Sequence, residues 1–388
     1  LDFTYNETQL QIRDAIQKIC DKYGDDYWLK KDKEGGLPEE FIKDICDEGW
    51  LGIAMPTEYG GSNLGITEAA IMMQTITSSG GGLSAASAIH INIFTPKPIV
   101  AYASEAQKKE WIPALIEGKD RTCFAVTEPN SGLDTTHLET RAEKIGDNYI
   151  VNGRKIFIST AQTANKMLLL ARTKPIESTP KPIDGLSLFY TDLDRNYIEM
   201  QEIDKMGRKA VDTNMLFIDG LPVPKEHLIG EEGMGFRYML QGFNPERILI
   251  AAEAVGLGQA ALRKATEYAK ERVVFGRPIG QNQAIQHPLA KSWAELEAAN
   301  MMVFKAASLF DNNQSCGAEA NAAKYLAAEA GFRACEQAVM THGGMGYAKE
   351  YHVERYLREI FVTRIAPVSR ELILSFIGEN VLGLPKSY

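Results

Sequence analysis

The hydrophobic spacing of this 388-residue chain changes period twice, and those changes constrain the fold more than any single motif. Over residues 1–119 apolar residues recur at helical intervals. Leu10, Ile16, Ile19, Cys20 and Tyr23 form one stripe, opened by a Thr4-x-x-Glu7 capping signature. Glu39 to Glu48 reads as another helix with Phe41, Ile42 and Ile45 inward. Ser104 to Glu117 reads as a further one, stopped by Gly118. Near Arg121 the spacing becomes that of strands. Tyr149–Val151, Lys155–Ile158, Met167–Leu170, Gly185–Tyr190, Ile198–Gln201 and Met215–Ile218 alternate with turn residues, and Asn152-Gly153 predicts a hairpin. From Gly235 the pattern is helical again, through Ile248–Arg272, Ala284–Asp311, Ala318–His342 and Val353–Gly378. The expected class is α+β: an N-terminal helical domain (1–119), a β-barrel-like middle domain (120–230) and a C-terminal four-helix bundle (231–388).

Composition narrows the function. With 45% hydrophobic and 24% charged residues the chain can bury a sizeable core, which excludes a mostly disordered protein. A net charge of −9 argues against wrapping nucleic acid. No apolar run approaches the roughly 18 residues of a membrane span. The start, Leu1-Asp2-Phe3-Thr4, reads as neither a signal peptide nor an Arg-rich transit peptide, and its lack of Met is read as trimming. Five scattered cysteines without a CxxC pair are expected to be reduced thiols. His and Cys never cluster at zinc spacing, so no metal is expected.

Three segments could carry chemistry. Val126 to Gly132 offers hydroxyls and turn amides for a polar ring edge or a phosphate, or is a plain strand-to-turn passage. Arg272-x-x-Phe275-Gly276 with Gln283 suits a pyrophosphate and a ring, or is a helix end with a favourable Arg. Phe243-Asn244-Pro245-Glu246-Arg247 reads as a helix start, with Asn as cap, Pro in the first position and Glu in the first turn. In that position Glu246 either complements the helix dipole or acts as a catalytic carboxylate. The glycines of Gly256-Leu257-Gly258 and Gly343-Gly344-Met345-Gly346 do not open a helix after a strand, so neither run is a dinucleotide fingerprint.

The order and spacing of these segments resemble the acyl-CoA dehydrogenase family over almost the whole chain. Thr127-Glu128-Pro129 with Gly132 and Asp134 is similar to one family signature. Arg272-x-x-Phe275-Gly276 with Gln283 is similar to another, and Gly343-Gly344-x-Gly346-Tyr347 with Arg358 to a third. The resemblance implies an FAD enzyme, a homotetramer built as a dimer of dimers, an acyl-CoA substrate and an electron-transferring flavoprotein as acceptor. It implies flavin contacts at Phe124, Val126, Thr127, Phe157, Ile158 and Ser159. It implies contacts to a partner subunit's cofactor at Arg272, Phe275, Gln283, Gly343 and Gly344. Ser369 and Glu371 fall where adenine-side phosphates or ribose are held. Leu133, Phe243 and Arg247 fall at substrate positions, Leu133 replacing a Ser common in the family. The expected compartment is the cytoplasm in a bacterium and the mitochondrial matrix in a eukaryote.

The position of the base separates branches of the family. The usual Glu falls on Pro367 here, which cannot accept a proton and has no N–H for a thioester oxygen. The isovaleryl- and long-chain-type branch carries its carboxylate on an earlier bundle helix, at the position of Glu246. The implied reaction is removal of the α proton by Glu246 with hydride transfer from the β carbon to flavin N5, giving a trans-2-enoyl-CoA. A nitroalkane oxidase-like or flavin monooxygenase activity on the same fold is the alternative. Ala85 to His90 falls along the acyl tunnel. His90 is either a polar floor there or a structurally satisfied residue, and a short- to medium-length acyl chain is expected.

Overall fold

A computed structural model describes residues 4–387. The N-terminal part is helical: α1 Glu7–Cys20, α2 Asp25–Glu34, α3 Glu39–Asp47, α4 Ile66–Ile76, α5 Gly82–Phe94, α6 Pro96–Tyr102 and α7 Glu105–Ile116. The first cap differs from expectation. Asn6, not Thr4, accepts from the Gln9 amide at 2.9 Å, and Gln9 reaches back to the Asn6 amide, so the box lies two residues later. The buried stripe of α1 accordingly includes Ile12, whereas Leu10 is exposed. Ser104 and Gln107 form a reciprocal capping box at the start of α7.

The middle of the chain is a curled seven-stranded sheet: β1 Thr122–Ala125, β2 Arg141–Ile145, β3 Asn148–Ser159, β4 Lys166–Arg172, β5 Leu186–Asp192, β6 Ile198–Glu202 and β7 Thr213–Pro224. The order is β1-β4-β2-β3-β7-β6, with β5 on the other side of β4. The predicted hairpin at Asn152-Gly153 is absent. The turn is Gly146-Asp147, where Gly146 adopts φ 60°, and Asn152-Gly153 lies inside the continuous strand β3 at a register shift. Glycine is required there by proximity, because a Cβ on Gly153 would stand 2.7 Å from the Thr140 Cα.

The C-terminal part holds α8 Gly235–Glu271, a two-stranded hairpin of β8 Val273–Val274 and β9 Arg277–Pro278, then α9 Gln283–Asp311 and α10 Gly317–His342. The last expected helix is broken into α11 Val353–Ile360, α12 Val362–Ile365 and α13 Arg370–Asn380. Pro367 disfavours helical backbone at Ala366, and Ser369 caps a fresh helix. α8 also departs from expectation. It begins at Gly235, so Asn244 is not its cap and Pro245 lies inside it. Glu246 is therefore well within the helix and out of reach of its N-terminal dipole.

Three apolar cores hold these parts together. One joins α1, α3, α4 and α5 to α8, α9 and α10. The second packs α6 and α7 against β4, β5 and the start of α8. The third lies within the sheet. None of the described helices is long and apolar enough to cross a membrane.

Candidate active site

α5 and α8 pack against each other in the first core. On α5, Ser84, Ser87, His90 and Phe94 recur at three- and four-residue intervals and share a face. On α8, Gly242 and Glu246 are one turn apart, and Glu253 lies two turns beyond Glu246 on the same side. The two faces meet where His90 Nδ1 stands 2.5 Å from Oε1 of the fully buried Glu253. Gly242 is buried, yet a Cβ built on it meets nothing within 4 Å. An open space therefore lies one turn before Glu246.

Glu246 is 9% exposed, and among the described residues nothing hydrogen-bonds or ion-pairs with its carboxylate. Burial pushes its pKa from 4.5 to about 7, against the pull of His90 and Arg247, with Glu253 adding to the rise and Lys324 opposing it. A carboxylate in this state can take a proton near neutral pH without a strong hydrogen bond to break. Phe243 and Arg247 accompany it on α8. Arg247 lies over the Phe243 ring and donates to Asn244 Oδ1 at 3.2 Å, and its buried Nε has no partner among the described residues.

Lys324, on α10, is buried and donates to the Val368 carbonyl at 2.6 Å, pinning the turn that contains Pro367. Burial lowers its pKa to about 8, Arg247 adding to the fall and Glu246 opposing it. The same cation holds the Glu246 pKa down. Lys324→Met is expected to raise the apparent pKa of the Glu246-dependent limb of kcat/KM by roughly 0.5–1 unit, which a pH–rate profile will measure. In the unaltered chain that limb should climb with pH through about 7, as Glu246 loses its proton.

A second group of predicted residues gathers at the end of the sheet. The Phe124 ring meets Phe94 edge-on at 5.4 Å, which brings β1 against α5. The Thr127 carbonyl accepts from the Ile156 amide at 2.9 Å, tying this segment to β3. Phe157 sits at an irregularity of β3 with φ 60° and is 63% exposed. A large non-glycine residue held in left-handed backbone with an exposed ring is strained, and such strain gathers at functional sites. Ile158 is buried, and Ser159 pairs with Thr213 of β7. The buried Thr213 hydroxyl oxygen has no hydrogen-bond partner among the described residues. An exposed aromatic face and an unpartnered hydroxyl beside Ser159 fit a planar ring with polar edges, which an isoalloxazine is.

Beneath this group lies a buried ion pair. Lys155 Nζ donates to Glu128 Oε1 at 2.8 Å, to the Val126 carbonyl at 2.9 Å and to the Leu170 carbonyl at 2.8 Å. Glu128 also accepts from the Glu139 and Thr140 amides, at 2.6 and 3.0 Å. Burial pushes the Lys155 pKa down to about 8 although Glu128 opposes it. Sequence reasoning saw Glu128 only as part of a motif and missed Lys155, Glu253 and Lys324. Glu253 did leave a signal, since it follows Glu246 by seven residues, the same-face spacing of a helix.

The remaining predicted residues lie elsewhere. Arg272, Phe275 and Gln283 are exposed around the β8–β9 hairpin, Phe275 completely so. Gly343 and Gly344 are exposed in the turn after α10. Tyr268 stacks on His342 at 4.3 Å and so brings that turn beside the end of α8. Arg272 follows Glu246 by 26 residues of continuous helix, about 39 Å of axial rise. Ser369 caps α13, and Glu371 pairs with Arg370 at 2.6 Å. Leu133 is exposed on the loop before β2, outside the apolar cores.

Comparison with known proteins assigns the family. Residues 6–119, 123–221 and 233–382 match the N-terminal, middle and C-terminal domains of acyl-CoA dehydrogenase. The acyl-CoA dehydrogenase fadE12 of Mycobacterium bovis is 35% identical, covering 100% of this chain and 99% of that protein. The caffeyl-CoA reductase–Etf complex subunit CarC of Acetobacterium woodii is 33% identical over 93% of this chain and 94% of its own length. The structure of a glutaryl-coenzyme A dehydrogenase in complex with glutaryl-CoA superposes with a TM-score of 0.94 at 30% identity, covering 100% of this chain and 98% of that one. The chain belongs to the acyl-CoA dehydrogenase family, flavoproteins that use FAD to dehydrogenate acyl-CoA thioesters.

Proposed function

We propose that this enzyme removes the α proton of a saturated acyl-CoA with Glu246 and yields the trans-2-enoyl thioester. The observation that supports the reading is a buried carboxylate without a partner among the described residues, beside an open space, with its pKa raised to about 7. Bound FAD supplies the hydride acceptor for the β carbon. Glu246 takes the α proton, so two hydrogens leave the substrate and a carbon–carbon double bond forms. Arg247 and Phe243 would line the thioester end, and His90 the acyl chain. Phe124, Val126, Thr127, Phe157, Ile158 and Ser159 would line the flavin. Pro367 gives no amide to the thioester oxygen, so that oxygen must take its hydrogen bonds elsewhere.

In the same reading Arg272, Phe275, Gln283, Gly343 and Gly344 meet the cofactor of a neighbouring subunit in a homotetramer. Their exposure and their distance along α8 from Glu246 support this. Ser369 and Glu371 would add to the adenine side of the cofactor, and Leu133 to the CoA. An electron-transferring flavoprotein is the proposed electron acceptor, since CarC is named as a subunit of an Etf complex. The three-part division at 1–119, 120–230 and 231–388 is retained, supported by the separate family matches. Anaerobic titration of the yellow protein with a panel of acyl-CoAs tests the reaction. Stoichiometric bleaching of the flavin with formation of enoyl-CoA is expected, and a flavin that stays oxidised with every acyl-CoA would overturn the reading.

A further inference from the structure

Arg208 stands out among the charged groups near the α5–α8 contact. It lies in the loop between β6 and β7 with φ 57°. That loop is fixed on both sides of it. The Met206 carbonyl accepts from Arg358 at 3.2 Å, and Lys209 Nζ donates to the Lys33 carbonyl at 2.8 Å. From there the Arg208 side chain reaches α5 and donates to Ser87 Oγ at 2.9 Å. That is its only hydrogen bond among the described residues, and no described carboxylate lies within ion-pair distance of it. Most of its donors are therefore unused.

The neighbouring acids face other groups. Glu253 is bonded to His90 through Oε1, and its buried Oε2 has no hydrogen-bond partner among the described residues. Glu359 accepts from the Ser84 hydroxyl and amide and from Arg355. Burial pushes the His90 ring toward neutrality, but the Glu253 charge and hydrogen bond outweigh it, and the net shift is upward. Burial lowers the pKa of Arg208, with Glu359 and Glu253 opposing the fall. The far end of the α5–α8 contact thus holds a His–Glu pair and a guanidinium with no ion-pair partner among the described residues. A partly buried cation without a close counter-charge is stabilised by a ligand that brings an anion.

Resting on the dehydrogenase reading, we infer that Arg208, steadied by Ser87, binds a carboxylate carried on the distal end of the acyl group. The enzyme would then act on dicarboxylic acyl-CoAs rather than on plain hydrocarbon chains. Glu253 lies two helical turns past Glu246, about 10 Å along α8, so the carboxylate would stand roughly four to eight carbons beyond the α carbon. A guanidinium offers a carboxylate two parallel N–H donors, which a neutral chain end cannot use.

The test compares adipyl-, pimelyl- and suberyl-CoA with hexanoyl-, heptanoyl- and octanoyl-CoA on the FAD-loaded enzyme, reading kcat/KM and the anaerobic rate of flavin bleaching. The carboxylated series should be favoured roughly 10-fold or more at matched length. Arg208→Met should lose that ratio or reverse it, and Arg208→Lys should restore part of it. Ser87→Ala should lower the ratio less than Arg208→Met. A wild-type preference for the neutral series, or an equal fall of both series in Arg208→Met, would overturn the inference. So would a preference for 3-(4-hydroxyphenyl)propionyl-CoA that survives in Arg208→Met. If neither series bleaches the flavin, the dehydrogenase reading itself fails and takes the inference with it.

Discussion

Glu246→Gln is expected to slow anaerobic reduction of the flavin by acyl-CoA roughly 10²–10⁴-fold while FAD stays bound, the range typical of losing a positioned base. Gln keeps the size of the side chain and removes only its ability to accept a proton. The second consequence is thermodynamic. The folded-state pKa of Glu246 is about 7 against 4.5 for the free group, so the folded chain holds this proton where the unfolded chain has lost it. Stability from this group is therefore complete below pH 4.5, declines as pH rises toward 7, and stays low above it. Glu246→Gln should accordingly be more stable than wild type at pH 8, by up to about 3 kcal/mol, and gain nothing at pH 4. Stopped-flow absorbance and thermal melts at the two pH values measure both. A variant that bleaches at the wild-type rate would move the base to another residue.

Lys155→Met should produce the largest loss of stability, roughly 3–5 kcal/mol, together with loss of FAD during gel filtration. The substitution strands Glu128 as a buried carboxylate and leaves the Val126 and Leu170 carbonyls without the Lys155 donor. It also releases the Val126–Thr127 segment proposed to lie along the flavin. The double replacement Lys155→Met with Glu128→Leu should be less damaging than the two single losses added together, because no unpaired charge remains. Denaturant unfolding with flavin fluorescence separates these outcomes. Strict additivity of the two substitutions would show that the pair is not the anchor of this segment.

The architecture was readable because burial imposes periodicity. α3, α7, α9 and α10 begin and end within a residue or two of where their apolar stripes and caps place them, and the six predicted runs fall on five of the sheet's strands, two of them on β3. The errors share one cause. Asn152-Gly153 carries the sequence grammar of a turn, yet it forms a kink in a continuous strand, because Thr140 packs too close for any side chain at Gly153. Asn244-Pro245-Glu246 carries the grammar of a helix start, yet it lies inside α8. Local signals describe what a segment permits, and neighbours remote in sequence select among the permitted forms.

The candidate base was similarly half legible. Pro367 excluded one position, and the family resemblance pointed to Glu246. The helix-dipole alternative for Glu246 falls away because α8 starts far upstream, and burial inside the fold raises its pKa. Residue order alone thus determined the three-part α+β plan and the flavoprotein family, and it singled out Glu246 as the acid proposed to act as base. Only tertiary structure decided which charges surround that acid. His90, Lys324 and Glu253 come from three separate segments, and the sequence contains no term for the desolvation and Coulomb interactions that arise when those segments are packed side by side.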